Sequence, residues 1–309
     1  MTNALGLDLS RYDEQVDFSA LASVIDFVTL KCGGSETGSL YSDPRFAERI
    51  QQAYDHGIAC GAYWFVGPGY WLGRQQTMTG VENLSDDQHP MLVYLRDLLK
   101  NKAVYWLAFD VEDASLRTSA GQVTDTWLAF YIRDLVERIQ RQQRLGNMRP
   151  FKLGVYSRRS FTQSQPALET YLGTQPDLFI WTANWANTGG GTLSRDTQPP
   201  TGFKPIPFGW SAKRAQEWTF WQWAGDSGGR YIHPAVKTGT GALRPLDVNV
   251  YNGEKSALYK WAGIEQVTPQ PTPEPTPQPQ PEVDLTEVNA KLDAVLAHLE
   301  KLKWLERES

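Results

Sequence analysis

"WLAFDVED", residues 106–113, sets Asp110 and Glu112 two positions apart inside an aromatic and aliphatic run. Successive side chains of a β-strand point to opposite faces. A strand here therefore puts Leu107, Phe109 and Val111 on one face and Ala108, Asp110 and Glu112 on the other. Two like charges held roughly 7 Å apart are unfavourable unless they serve a cation, a proton transfer or a buried ion pair. The pair is aimed together, and the rest of the chain must say which of these it serves.

Seven similar runs surround it: "ALGLDLS", "VIDFVTLKC", "IACGAYWFV", "FKLGVYS", "LFIWTANW", "TFWQWAG" and "PLDVNVY". Helix-like segments lie between them. A stripe of Leu128, Ile132, Leu135, Val136 and Ile139 predicts a helix over about residues 123–143, with Arg133, Glu137, Arg138 and Arg141 on other faces. A second helix is expected over 44–56, where proline is tolerated in the first turn. Eight apolar runs alternating with helices predict parallel strands joined by right-handed crossovers. Continuous apolar strands are buried on both faces, so the expected fold class is α/β, a single TIM-like (β/α) barrel. The runner-up is a doubly wound open sheet. It lacks support, because no GxGxxG or P-loop follows the first strand and "TGGGTLS" reads as a loop.

The chain has 309 residues and a net charge of -5 with its acids dispersed, so nothing in its overall field calls for nucleic acid or an anionic membrane. Twelve Trp and thirteen Tyr supply flat rings that can pack in a core or stack on a ligand. Cys32 and Cys60 have no CxxC spacing and read as reduced packing residues, and His56, His89, His233 and His298 are scattered and carry no assigned role. "MTNALGLDLS" lacks a basic start and an apolar run, and no stretch is long enough to span a bilayer. The expectation is synthesis in a cytoplasm without a signal peptide, with no membrane partner.

Composition changes after Ile264. "TPQPTPEPTPQPQPE" is a proline-rich, semi-rigid spacer. Beyond it Leu285, Val288, Leu292, Val295, Leu299 and Leu302 are spaced 3, 4, 3, 4 and 3, a heptad seam, with Asp284 and Glu287 resembling a capping box. So short a helix is marginal alone and its seam needs a partner. The expected organisation is a catalytic barrel over 1–264, a linker over 265–283 and an oligomerising coiled-coil helix over 284–309. Folding back of that helix onto the barrel is the alternative.

Catalytic groups of a barrel lie at the C-terminal ends of its strands. Reading each run to its end collects Asp8, Lys31, Cys32, Tyr63, Trp64, Asp110, Glu112, Tyr156, Trp181, Asn184, Trp185, Gln222, Asp247 and Asn249. Four carboxylates among aromatic rings are what glycosidic cleavage uses. One carboxyl protonates the leaving oxygen while another stabilises the oxocarbenium-like centre or activates water. Apolar neighbours such as Trp106 and Phe109 raise a carboxyl pKa. The rival chemistry is a Mg²⁺ site, since clustered carboxylates suit hard cations.

The ordered set "GLDLS", "GAYWF", "FDVE", "WTANW", "WQW" and "DVN" resembles the glycoside hydrolase family 25 lysozymes, N-acetylmuramidases of bacteria and their phages, over about residues 5–261. The resemblance implies cleavage of the β-1,4 bond between N-acetylmuramic acid and N-acetylglucosamine in peptidoglycan, with no cofactor. It implies Glu112 as proton donor, Asp110 as the group that orients the substrate's N-acetyl group or stabilises positive charge, and Asp8 and Asp247 as holders of substrate or water. Tyr63, Trp64, Tyr156, Trp181, Trp185 and Gln222 are the expected substrate-binding residues.

The chain departs from the family pattern in "KCGGSETG" after the second strand, in Trp64 where a histidine is common, and in Trp185 where tyrosine is usual. A glycan-binding module that no longer cuts is the alternative from another class, and a phage-particle assembly component is a third. The expected partners are peptidoglycan strands and further copies of this chain through the tail helix. The expected place of action is the bacterial cell wall, as an endolysin or a virion-borne enzyme.

Overall fold

The computed structural model describes residues 2–35, 38–72, 74–118, 121–185, 190–206, 208, 217–225, 231–265 and 291. The expected linker and heptad helix, apart from Glu265 and Lys291, lie outside the described residues. Eight strands close a barrel: β1 (Leu5–Leu9), β2 (Phe27–Gly34), β3 (Ala59–Phe65), β4 (Trp106–Asp110), β5 (Lys152–Arg158), β6 (Phe179–Ala183), β7 (Phe220–Ala224) and β8 (Asp247–Tyr251). Each strand pairs with the next in the chain, and β8 closes the ring on β1. Strands β1 to β7 run parallel.

The last strand corrects the expectation of an all-parallel barrel. β8 is antiparallel to both β7 and β1. Among the described residues no helix separates β6 from β7 or β7 from β8, and without a crossover helix the chain can return in the opposite direction. The reversal places the first residue of β8, not the last, at the rim where the other strands end. Asp247 thereby stands directly opposite Asp8.

Alternation along each strand separates two apolar layers. Leu5, Leu7, Val28, Leu30, Leu107, Phe109 and Val111 face outward into the layer under the helices, whereas Phe27, Trp106, Ala108, Phe179, Trp181 and Phe220 face the barrel interior. The opening stretch is therefore arranged as its period demands, with Trp106 and Ala108 on the same side as Asp110. At the floor, Trp106, Phe179, Phe220 and Tyr251 pack around Trp261 at ring separations of 5.4–6.1 Å. Glycine makes room for these rings: a Cβ at Gly61 would overlap the Trp106 indole, and one at Gly154 the Phe179 ring.

The longer helices are α1 (Phe46–Asp55), α2 (Pro90–Leu99), α3 (Asp125–Arg144), α4 (Pro166–Gly173) and α5 (Lys255–Ala262). Thr124 caps α3 by accepting from Trp127 N at 3.3 Å, replacing one of the partners that a helix start lacks. The stripe Leu128, Ile132, Leu135, Val136 and Ile139 is wholly buried, each side chain contributing about 1.5–3 kcal/mol of apolar burial.

Arg138 departs from its expected place on a solvated face, being only 4% exposed. Its guanidinium donates to Asp134, Asp86 and the carbonyls of Val81, Glu82 and Leu84 at 2.8–3.2 Å. His89 joins this network. Its Nε2 lies 2.9 Å from Asp134, and its Nδ1 accepts from Leu92 N at the start of α2. Cys32 and Cys60 are buried free thiols, pushed up by burial away from ready ionisation.

Candidate active site

The upper end of the barrel interior gathers the acids. Asp110 ends β4 and is 6% exposed, facing Tyr156 of β5 across the ladder. Glu112 lies two residues beyond, partly exposed. Its backbone is pinned by a reciprocal pair, Glu112 N donating to Ser115 Oγ at 3.1 Å and Ser115 N donating to Glu112 O at 2.8 Å. The preceding Val111 still pairs with β5 through Tyr156 O at 3.0 Å and receives Ser157 Oγ on its carbonyl at 2.6 Å. Glu112 thus leaves the strand at a defined angle rather than on a free loop.

Asp8 is the hub of a hydrogen-bonded frame. Its Oδ2 accepts from Asn249 Nδ2 at 2.7 Å and from Gln222 Nε2 at 2.9 Å. Gln222 Oε1 accepts in turn from Tyr156 Oη at 2.9 Å and Trp185 Nε1 at 2.8 Å, and Asn249 Oδ1 accepts from Trp181 Nε1 at 2.7 Å. Six side chains from β1, β5, β6, β7, β8 and the segment after β6 are therefore coupled through one carboxylate. Rings on one end and amides on the other fix the orientation of every member.

Protonation follows from this crowding. Burial pushes Asp8 up to about 7 against the opposing pull of the Gln222 and Asn249 amides, with Asp13 and Glu112 adding repulsion. Glu112 is also raised, chiefly by burial and then by Asp113, while Arg158, Lys31 and the Tyr156 hydroxyl pull it back. The phenol of Tyr156 is pushed well above its ordinary value by burial and by the charges of Glu112, Asp110, Asp8 and Asp247. Asp247 stands opposite Asp8, Asp110 stands opposite Tyr156, and Gln222 links Tyr156 to Asp8, so these acids lie at one end of the barrel, with Glu112 two residues past Asp110. Among the described residues no group of three or more His, Cys, Asp or Glu is placed to hold a metal ion.

The aromatic residues divide. Tyr63 and Trp185 are partly exposed at the rim. Tyr156 and Trp181 are 6% and 3% exposed and meet edge to face, with ring centroids 4.7 Å apart. These two serve the frame around Asp8 and present no open face on which a sugar could stack. Trp64 is removed from the set altogether. It is fully buried in the outer layer, its indole directed at Tyr131 Oη at 3.3 Å and packed beside Tyr94. Period-two alternation sends it away from the rim that Tyr63 faces. Arg158 is added to the strand-end residues, and Asn249 and Lys31, already among them, take defined places beside Asp8 and Glu112. Asn249 was legible in "DVN" as the next inward position after Asp247, whereas the nearness of Lys31 and Arg158 to Glu112 depends on strand register.

A family model, glycosyl hydrolases family 25, matches residues 7–229. No curated protein matches the chain. Among solved structures, the bacterial lysozyme of Streptomyces coelicolor superposes with a TM-score of 0.52 at 19% identity, covering 85% of this chain and 98% of that one. A family GH25 lysozyme from Aspergillus fumigatus gives 0.53 at 17% identity over 84% and 99%. The catalytic domain of the endolysin ply40, from bacteriophage P40 of Listeria monocytogenes, gives 0.52 at 17% over 85% and 98%. At these identities the superpositions speak for the barrel, and the family match spans the rim that holds Asp8, Asp110 and Glu112. The chain belongs to glycosyl hydrolases family 25 and is a glycoside hydrolase.

Proposed function

We propose that this glycoside hydrolase is a muramidase that cleaves the β-1,4 bond between N-acetylmuramic acid and N-acetylglucosamine in peptidoglycan. The observation that supports the reading is the placement of Asp8 opposite Asp247 and of Asp110, with Glu112 two residues beyond it, opposite Tyr156 at the same end of the barrel, in a chain of this family.

Glu112 is the proton donor. Its carboxyl is raised by burial and accessible from the rim, as a general acid at neutral pH requires. It protonates the glycosidic oxygen as the bond to the anomeric carbon breaks, and as the carboxylate it then takes a proton from the incoming water. Asp110, on the same face two residues earlier, holds the acetamido group or offsets the positive charge that develops on the ring. Asp8 and Asp247, adjacent across the antiparallel seam, position substrate or water. Tyr63 and Trp185 supply the accessible rings and Gln222 the amide frame.

Lysis of bacterial walls is the corresponding biological role, in the manner of a phage endolysin or a particle-borne enzyme. The heptad pattern at 285–302 supports self-association of the tail, which would multiply weak contacts with a polymeric wall. Digestion of purified peptidoglycan followed by identification of the new reducing end tests the reading. Reducing N-acetylmuramic acid is expected. Reducing N-acetylglucosamine, or binding with no cleavage, would overturn it.

A further inference from the structure

Outside the acid cluster the same rim carries a strip of alternating cations and tyrosine rings. Tyr12, four residues after Asp8 in the chain, is 53% exposed. The Arg11 guanidinium carbon lies 5.0 Å from its ring centroid and Nη2 donates to its hydroxyl at 3.0 Å. Arg244, three residues before Asp247, brings a second guanidinium to 5.9 Å from the ring. On the inner side, Lys31 Nζ sits 5.7 Å from the Tyr41 ring and 4.6 Å from Phe65. Arg11 lies within electrostatic reach of Tyr41, and Lys31 within reach of Glu112. Lys31 lies near the end of β2, which pairs with β1, and Arg11 follows β1, so both stand at the end of the barrel that carries Asp8.

The loop backbone does not need the Arg11–Tyr12 contact in order to fold. It is held by other groups: Arg49 donates to the carbonyls of Ser10 and Asp13, Asp13 accepts from Ser10 N at 2.8 Å, and Asp43 accepts from Arg11 N at 2.7 Å. Asp13 and Asp43 are themselves buried, and Asp13 pairs with Arg244 Nε at 2.7 Å. What they leave at the surface is the Tyr12 ring with the Arg11 guanidinium beside it and, farther off, Arg244, whose Nε is held by Asp13. Guanidinium forks match carboxylates, and a flat phenol ring suits a sugar face or a peptide plane. An uncharged glycan backbone would have no use for both cations.

We propose that Arg11, Tyr12 and Arg244 form a subsite for a carboxylate carried on the peptide stems of the glycan. This inference rests on the peptidoglycan reading above. The subsite lies beyond the bond-breaking groups, so it lowers KM without entering the chemical step.

The test uses the full chain and soluble, uncrosslinked glycan strands with their peptide stems, alongside the same strands after their stem carboxylates are converted to amides. The native protein should show a KM about fivefold lower on the acidic strands, the combined scale of two exposed ion pairs. Arg11→Gln with Arg244→Gln should abolish that preference with kcat unchanged and leave the amidated strands unaffected. Arg11→Gln alone keeps the Asp13–Arg244 pair and should lose about twofold. An equal change on both strands, or on neither, would overturn the subsite while cleavage continued. Absence of reducing ends from either strand with the native protein would instead remove the muramidase reading, and the subsite with it.

Discussion

Gln222 Nε2 donates to Asp8 Oδ2 at 2.9 Å while Gln222 Oε1 accepts from both Tyr156 and Trp185. The amide has one orientation that satisfies all three partners, so the Asp8 carboxylate, the Tyr156 phenol and the Trp185 indole are set by a single side chain on β7. Replacing Gln222 with Met strands two donors and an acceptor. Each stranded buried group costs about 1–3 kcal/mol, and stability measured by urea unfolding should fall on that scale. Losing the amide also removes one of the groups that pull Asp8 down. The ionisation of Asp8, followed by NMR, should move upward.

Asp8 gives a stability test whose sign is fixed by linkage. Its folded value of about 7 lies above the ordinary carboxyl value of 3.8, so the folded state binds the proton more tightly. Its contribution is intact below the unfolded value and is lost as pH rises through about 7. Asp8→Asn cannot ionise and its oxygen can still accept from Gln222 and Asn249. The variant should melt higher than the native protein at pH 8, by roughly 1–3 kcal/mol of unfolding free energy, and should lose that advantage near pH 4. Thermal unfolding at the two pH values measures the difference; an advantage at pH 4 but not at pH 8 would contradict it.

Lys31 and Arg158 both pull Glu112 downward against its burial. If Glu112 acts in its protonated form, activity falls as pH rises through its raised pKa. Lys31→Met removes one opposing cation and should carry that descending limb of kcat/KM to higher pH. Measuring the limb in Asp8→Asn as well separates the two carboxyls: a limb that persists there belongs to Glu112 rather than Asp8.

Arg138, paired with Asp134 one turn earlier on α3, ties that helix to the segment before α2 through Asp86 and three carbonyls. Arg138→Met fills the space but leaves those acceptors and Asp134 buried without the cation. A loss of about 3–5 kcal/mol is expected in urea unfolding, with little effect on catalysis under conditions where the variant is folded, because the network lies away from the barrel rim.

The barrel was legible where the sequence carries period and polarity together. "WLAFDVE" mixes charges with apolar residues, so its alternation put Asp110 on the face of Ala108, which the fold turns inward. The stripe on α3 did the same for Leu128 and Ile139. Trp64 was misread because β3 is apolar on both faces, and nothing in "GAYWF" marks which ring faces the rim. Tyr156 and Trp181 looked like ligand platforms for a related reason. Their hydroxyl and indole N–H groups find partners on β7 and β8, strands distant in sequence. The reversed direction of β8 left no trace in "PLDVNVY", since strand direction depends on the connection before it. Arg138 read as solvated because the carbonyls that receive it belong to a separate segment.

The central claim is that Glu112 delivers the proton in glycosidic cleavage. The most direct measurement is the rate of reducing-end release from purified peptidoglycan by Glu112→Gln, compared with the native protein at matched circular dichroism and melting temperature. The account predicts a fall of about 10²–10⁴-fold, the scale of a lost general acid. Release within about tenfold of the native rate would contradict it and transfer the role to another carboxyl of the rim, Asp8 first.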